Sequence, residues 1–342
     1  MRISVLLLLG LFVIQSCNMR EPKFPIEERV TQELMPLEGS VDPFMIEVKH
    51  PFLVVMNSEK EDSIFHIYNL SERKLVNLFG VKGKDLKESS TPWKYKIGEF
   101  ILPILHNVQS GDILISDVVR RVIYRFGINK NGVFNLEERR NHSDSVDNMF
   151  PAAFINDTLY ALNAEYQGPG VWLMSINRKS PIMVKQYRNP DIFDHYADPD
   201  MGRVYANESR IALCYGWKKK IDFMDTNFKL IRSINYKFDD TADITPENEG
   251  DVKATYVYGY FGKRYFYTVF FGKSWKEHRK TLSGTTLEVY DLDGNPVAKY
   301  IFDGISPSRF VVDETTFTMY GIIDRDSELN NFLVVYKLKG LS

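Results

Sequence analysis

The stretch IFHIYNLSERKLVNLFG (residues 64–80) decides how this chain is read. It holds an apolar strand ending in an aromatic and a polar residue, then a turn, then a second apolar strand. The same grammar returns as RVIYRFGINKNGVFNLE (121–137), VWLMSINRKSPIMVKQY (171–187), KIDFMDTNFKLIRSINY (220–236), LEVYDLDGNPVAKYIFD (287–303) and FLVVYKLKGLS (332–342). Aligned on Tyr68, Tyr124, Met174, Met224, Tyr290 and Tyr336, the copies are spaced by 56, 50, 50, 66 and 46 residues. Asn131-Gly132 and Asp293-Gly294 mark two of the turns as hairpins, because Gly accepts a positive φ without strain.

Upstream of each copy lies another short hairpin. The pairs are FMIEVKH/PFLVVMN (44–57), FILPILHN/DILISDV (100–118), PAAFIN/TLYALNA (151–164), GRVYANE/RIALCYG (202–216), ATYVYGYFGK/RYFYTVF (254–270) and SRFVVDE/TTFTMYG (308–321). Each unit therefore has four strands, named A to D here. Six four-stranded units of this length are the signature of a six-bladed β-propeller in the all-β class. A pair of β-sandwiches is the other architecture weighed; the regular spacing argues against it. The last copy stops after strand C. The segment EERVTQELMPLEG (27–39) has no partner of its own, so residues ~29–36 are expected to supply strand D of the last blade. That N-terminal strand closes the ring and hides an open sheet edge.

The chain begins MRISVLLLLGLFVIQSC (1–17). Ile3 to Ile14 is an apolar run of twelve residues after a single positive charge, Arg2. It is shorter than the ~20 residues that span a bilayer and suits the core of a secretory signal. Ile14-Gln15-Ser16-Cys17 resembles a bacterial lipobox. That resemblance implies cleavage before Cys17 and acylation of its thiol and new N-terminus. The expected organisation is a lipoprotein signal peptide over 1–16, a tether over 17–26 and a propeller over 27–342. Surface-exported lipoproteins of Bacteroidetes resemble one another in an acidic cluster just past the lipobox Cys. Asn18-Met19-Arg20-Glu21 has none, so the resemblance implies a cell-envelope location with an outer-membrane anchor facing the periplasm.

With the lipobox, the six degenerate blades and LFGVKGKDLKE (78–88) after the first strand D, the chain resembles the TolB-like six-bladed β-propeller lipoproteins of Bacteroidetes. Gly80 and Gly83 match that family's glycine-rich stretch; Asp85 and Leu86 depart from it. The resemblance implies an architecture but no reaction and no catalytic residue.

The formal charge of the 342-residue chain is −2. Removing residues 1–16 takes away Arg2 and leaves −2 − 1 = −3. That is not the basic excess of a nucleic-acid binder. Cys17 and Cys214 are the only cysteines; Cys214 reads as a small buried apolar residue. None of the six histidines falls at a zinc-helix spacing, and no Gly-x-Ser-x-Gly elbow occurs. DIFDHYADPD (191–200) is the most metal-like cluster. No cofactor, metal or catalytic residue is expected, and the protein is expected to be monomeric.

Loop lengths carry the functional reading. In a propeller the A–B and C–D turns lie on one face, and the B–C and D–A connections on the other. Here the first set is short and the second is elaborated, through GKSWKEHRKTLSG (272–284) and YKFDDTADITPENEGD (236–251) among others. Loops on rigid scaffolds carry function, and exposed aromatics make typical anchors. The expected ligand-binding residues are Trp93, Tyr95, Tyr166, His195, Tyr196, Trp217, Lys218, Trp275, His278 and Arg279. Lys218, Lys219, Lys276 and Arg279 would favour an acidic group on the ligand. The function expected is a membrane-anchored binding or scaffold module for a protein, peptide or glycan. The rival is a propeller-type hydrolase or lyase with its site at the mouth of the central channel.

Overall fold

The computed structural model describes residues 23–342 except 40–41, 58–60, 84–97, 109–110, 142–151, 164–169, 179, 186–201, 237, 239–247, 249, 282 and 325–326. Six antiparallel sheets follow one another along the chain. Blade 1 runs from strand Pro43–Lys49 to strand Lys74–Phe79, and blade 2 from Pro103–His106 to Phe134–Asn141. Blade 3 runs from Ala152–Phe154 to Met183–Lys185, and blade 4 from Gly202–Ala206 to Leu230–Asn235. Blade 5 runs from Lys253–Phe261 to Pro296–Phe302. Blade 6 has three strands in sequence, Arg309–Asp313, Thr318–Ile322 and Phe332–Lys337. The inner strands of blades 6 and 1 lie against each other, so the ring is closed.

The ring closes as the sequence suggests, but with two strands. β1 (Ile26–Val30) and β2 (Glu33–Pro36) precede blade 1. β2 pairs antiparallel with Phe332–Lys337 and supplies the missing outer strand of blade 6. β1 pairs parallel with the outer strand of blade 5, from Ile26 beside Ala298 to Val30 beside Phe302. The two form one strap across neighbouring blades. The folded chain also starts before residue 27: Phe24 is buried and meets Tyr290 edge-on at 5.6 Å.

The core lies between blades. Second strands such as Phe52–Asn57 and Ile113–Asp117 are buried along their whole length, because a neighbouring sheet covers each face. Outer strands such as Lys74–Phe79 alternate, since one face is wet. Aromatic rings fill the wedges. Between blades 1 and 2, Phe65 meets Phe100 at 5.5 Å and Phe79 meets Phe134 at 4.7 Å. The repeat position that aligns the copies is buried in all six blades. Where it is Tyr, its hydroxyl can bridge to the preceding connection. Tyr68 donates to the Glu38 carbonyl at 3.0 Å and Tyr336 to the Ile305 carbonyl at 2.8 Å.

Turn chemistry repeats as well. Asn69, Asn129, Asp225 and Asp291 each accept two backbone N–H groups just ahead of them, pinning four C–D turns. Gly132 and Gly294 take the positive φ that their turns need. Gly80 (φ 80°) sits where a Cβ would collide with Phe65 and Phe100.

Met35 on β2 is 1% exposed within the core shared by blades 5, 6 and 1. Met35→Ala should cost ~2–5 kcal/mol of stability, and Phe24→Ala ~3–5 kcal/mol, as truncations of buried side chains do. Urea unfolding of both variants checks this. A Met35→Ala midpoint equal to wild type would show that the strap is not part of the folding unit, and an equal Phe24→Ala midpoint would show the same of the segment before it.

Candidate functional site

The A–B turns of blades 1, 2, 5 and 6 surround a cavity of about 710 Å³ at one mouth of the channel. Its lining includes Lys49, His50, Lys263, Arg264, Asp313 and Glu314. A second cavity of about 140 Å³ lies beside it, lined by residues of blades 2, 3 and 4 that include Arg125, Asp157 and Glu208. Val108 borders both. Asn107, its neighbour, donates from Nδ2 to the Phe261 carbonyl at 3.2 Å. Asn107 belongs to blade 2 and Phe261 to blade 5, which face each other across the ring. This bond runs across the mouth.

The acidic groups of the larger cavity are engaged by the scaffold. Glu314 accepts from the backbone N–H groups of Lys263, Arg264 and Tyr265 and from the Tyr267 hydroxyl. Asp313 accepts from the Thr315 N–H and the Thr316 hydroxyl, and its Oδ2 lies 2.9 Å from His50 Nδ1. Lys263 and Arg264 are exposed at the rim. Arg264 holds its guanidinium 4.5 Å over the Phe317 ring and donates to the Glu314 carbonyl.

Sequence similarity independently covers part of this chain. The profile of the TolB-like 6-blade propeller-like family matches residues 218–315, from the middle of blade 4 into blade 6. The fold is a six-bladed β-propeller, and over those residues the sequence is similar to the TolB-like family. Solved structures agree over nearly the whole length. A protein described as exported from Bacteroides fragilis superposes with TM-score 0.51 at 12% identity, over 91% of this chain and 98% of that one. A member of the DUF4221 family from Bacteroides vulgatus does so with TM-score 0.53 at 16% identity, over 90% and 96%. At those identities the likeness is one of fold. No curated protein matches the chain in sequence.

Of the residues expected to bind, the described ones, Trp217, Lys218, Trp275, His278 and Arg279, belong to B–C connections on the face opposite this mouth. Trp93, Tyr95, Tyr166, His195 and Tyr196 fall outside the described residues, as do Cys17 and the DIFDHYADPD cluster. Trp217 and Trp275 are half-buried and pack against the large core. The Lys218 carbonyl accepts from the Thr255 hydroxyl at 2.9 Å. GKSWKEHRKTLSG is not a plain charged loop. It contains α1 (Trp275–Lys280), started by a capping box in which Ser274 and Glu277 satisfy each other's backbone N–H groups. The Ser-x-x-Glu spacing is the signal that could have shown it. The helix turns His278 inward, 4.5 Å from Phe271, so it is buried rather than an exposed anchor. Arg279 lies on the same helix. Lys219 is also withdrawn. Its ammonium lies 3.6 Å from buried Glu288 and 4.1 Å over the Phe270 ring, so it completes an internal charge pair. Among the described residues no three His, Cys, Asp or Glu side chains gather as metal ligands would.

Beneath the larger cavity, strand A of blade 1 carries Glu47 fully inside the protein. Burial pushes its carboxyl up to about 7, although Lys49 Nζ stands 3.4 Å away and favours the anion. His106, buried on strand A of blade 2 with Nε2 2.7 Å from Ser116 Oγ, is driven down to about 3 by the same loss of water. The signs oppose each other. A carboxyl whose folded pKa is raised adds stability below its unfolded pKa and loses it as pH rises through about 7. A histidine whose pKa is lowered loses stability as pH falls through its unfolded value of about 6.5. Glu47→Gln removes the first effect alone. Its melting temperature relative to wild type should rise between pH 5 and pH 8, by an amount equivalent to a few kcal/mol for a shift of this size. A difference independent of pH would mean that Glu47 stays ionised throughout.

Proposed function

We propose that this protein is a lipid-anchored envelope lipoprotein whose propeller serves as a binding or scaffold module. The ligand is a peptide or glycan carrying an acidic group, held at the A–B mouth. The lipobox at Cys17 and the likeness to a propeller described as exported support the placement in the envelope. The observation that carries the binding role is the larger cavity itself. It is open and roomy, its carboxylates are committed to scaffold hydrogen bonds, and exposed cations stand at its rim. Lys49 is held by Glu47 and Arg264 by Glu314, at 3.4 and 3.8 Å, so exposed Lys263 is the rim cation that would meet an incoming negative group first.

One observation favours the enzymatic alternative. His50 is oriented by buried Asp313 at 2.9 Å, and its ring is 39% exposed at the cavity. A carboxylate-oriented imidazole is the arrangement of a general base. A hydrolase or lyase would use His50 in that role.

Two experiments test these readings. Cys17→Ser should move the protein from the detergent phase to the soluble fraction; retention with membranes would remove the anchor assignment. A screen of acidic glycans and acidic peptides should give ligands whose affinity falls at least about tenfold, or ~1.4 kcal/mol, in Lys263→Glu. Lys276→Glu on the elaborated face should leave them bound. The reverse pattern would place binding on the elaborated face. Mass spectrometry of the same mixtures separates binding from turnover, because cleavage that disappears in His50→Gln would establish the enzyme.

A further inference from the structure

The strap fixes where the tether leaves the propeller. β1 runs parallel to the outer strand of blade 5, and that strand starts at a C–D turn and ends at a D–A connection. Ile26, at the start of β1, therefore lies near the C–D side, and Val30 near the D–A side. Contacts outside the sheet agree. Phe24 packs on Tyr290, next to Asp291, whose carboxylate pins the C–D turn of blade 5. Ile26 lies against Gly340, beyond the C–D end of blade 6. At the other end, the Val30 carbonyl and Gln32 Oε1 accept from the N–H groups of Asp303 and Ile305 in the D–A connection.

We propose that the A–B and C–D face, with its cavity, looks toward the bilayer that holds the lipid, and that the elaborated face looks away from it. This rests on the lipid-anchor reading above. The argument is one of reach. From Cys17 to Lys23 there are six residue steps, which span at most roughly 20 Å when fully extended. The outer strand Pro296–Phe302 has seven residues, a rise of ~23 Å. A tether of that length cannot run back along the blade edge and still reach the membrane from the far side. Phe24, buried between blades 4 and 5, keeps the root of the tether from peeling away. The partner of this face is thus the lipid surface itself. A ligand of the cavity must enter through the narrow layer between propeller and bilayer, while the loops of the other face are free to meet soluble partners.

The chain suits a direct measurement. Cys17 carries the lipid, and Cys214 is buried, with burial pushing its thiol pKa well up, so it resists labelling. Lys263→Cys and Lys280→Cys place a fluorophore at opposite ends of the same blade, on exposed residues of the A–B turn and of α1. Each lipidated full-length variant is reconstituted on vesicles of phosphatidylethanolamine and phosphatidylglycerol bearing a headgroup nitroxide. Quenching at 263 should exceed that at 280 by at least about twofold, because a strand of this length sets the two ends ~20 Å apart. Inserting a flexible Gly-Ser stretch of about twelve residues after Glu21 should abolish the difference while the protein stays bound, since such linkers behave as random coils. Equal or stronger quenching at 280 in the unmodified tether overturns the orientation alone. A difference that survives the insertion overturns the tether as its cause. Failure of the wild-type protein to float with vesicles overturns the anchor, and the orientation with it.

Discussion

The backbone pairing of Glu33–Pro36 with Phe332–Val335 is the contact on which the rest of the molecule depends. A propeller is a stack of sheets bent into a circle, and each blade is buried only because it has a neighbour on both sides. If blade 6 ended at three strands, it would leave both an unpaired strand edge and an uncovered wedge of core. β2 removes both problems at once, and Met35 enters the core shared by blades 5, 6 and 1. β1 extends the same device one blade further back. The earliest and latest folded segments of the chain are thereby held to each other.

Much of this was legible in the sequence because the repeat is physical. Buried Tyr or Met at one position per blade, apolar pairs around polar turns, and a last copy lacking its outer strand all follow from how blades pack. β1 was not legible. Its residues IEERV alternate weakly and carry three charges, as an edge strand with one wet face does, and nothing in that composition separates it from a tether. Parallel pairing to a strand some 270 residues away leaves no local signal. Phe24 was hidden for the same reason, being a single ring ahead of Pro25.

The candidate site was less legible than the fold. Long loops and exposed-looking tryptophans drew attention to one face, yet Trp275, His278 and Lys219 turn inward to cover core aromatics or pair a buried carboxylate. Charged and aromatic residues together in a loop sequence look alike whether they face water or cap a core, because amphipathic side chains do both. The cavity, in contrast, is lined by short turns that carry no motif. It exists because four inner strands end at the same height around the axis, which is a property of closure and not of any one segment.

The hydrogen bond from Asn107 to Phe261 has a mechanical meaning. It joins blades that are not neighbours, so it acts as a strut across the opening. A ring without such a strut can ovalise, with opposite blades approaching while the others part. With it, an approach or parting of blades 2 and 5 must strain or break that bond, which opposes it by about 1 kcal/mol. Whatever fills one compartment must press on the strut, and so on the shape of the other.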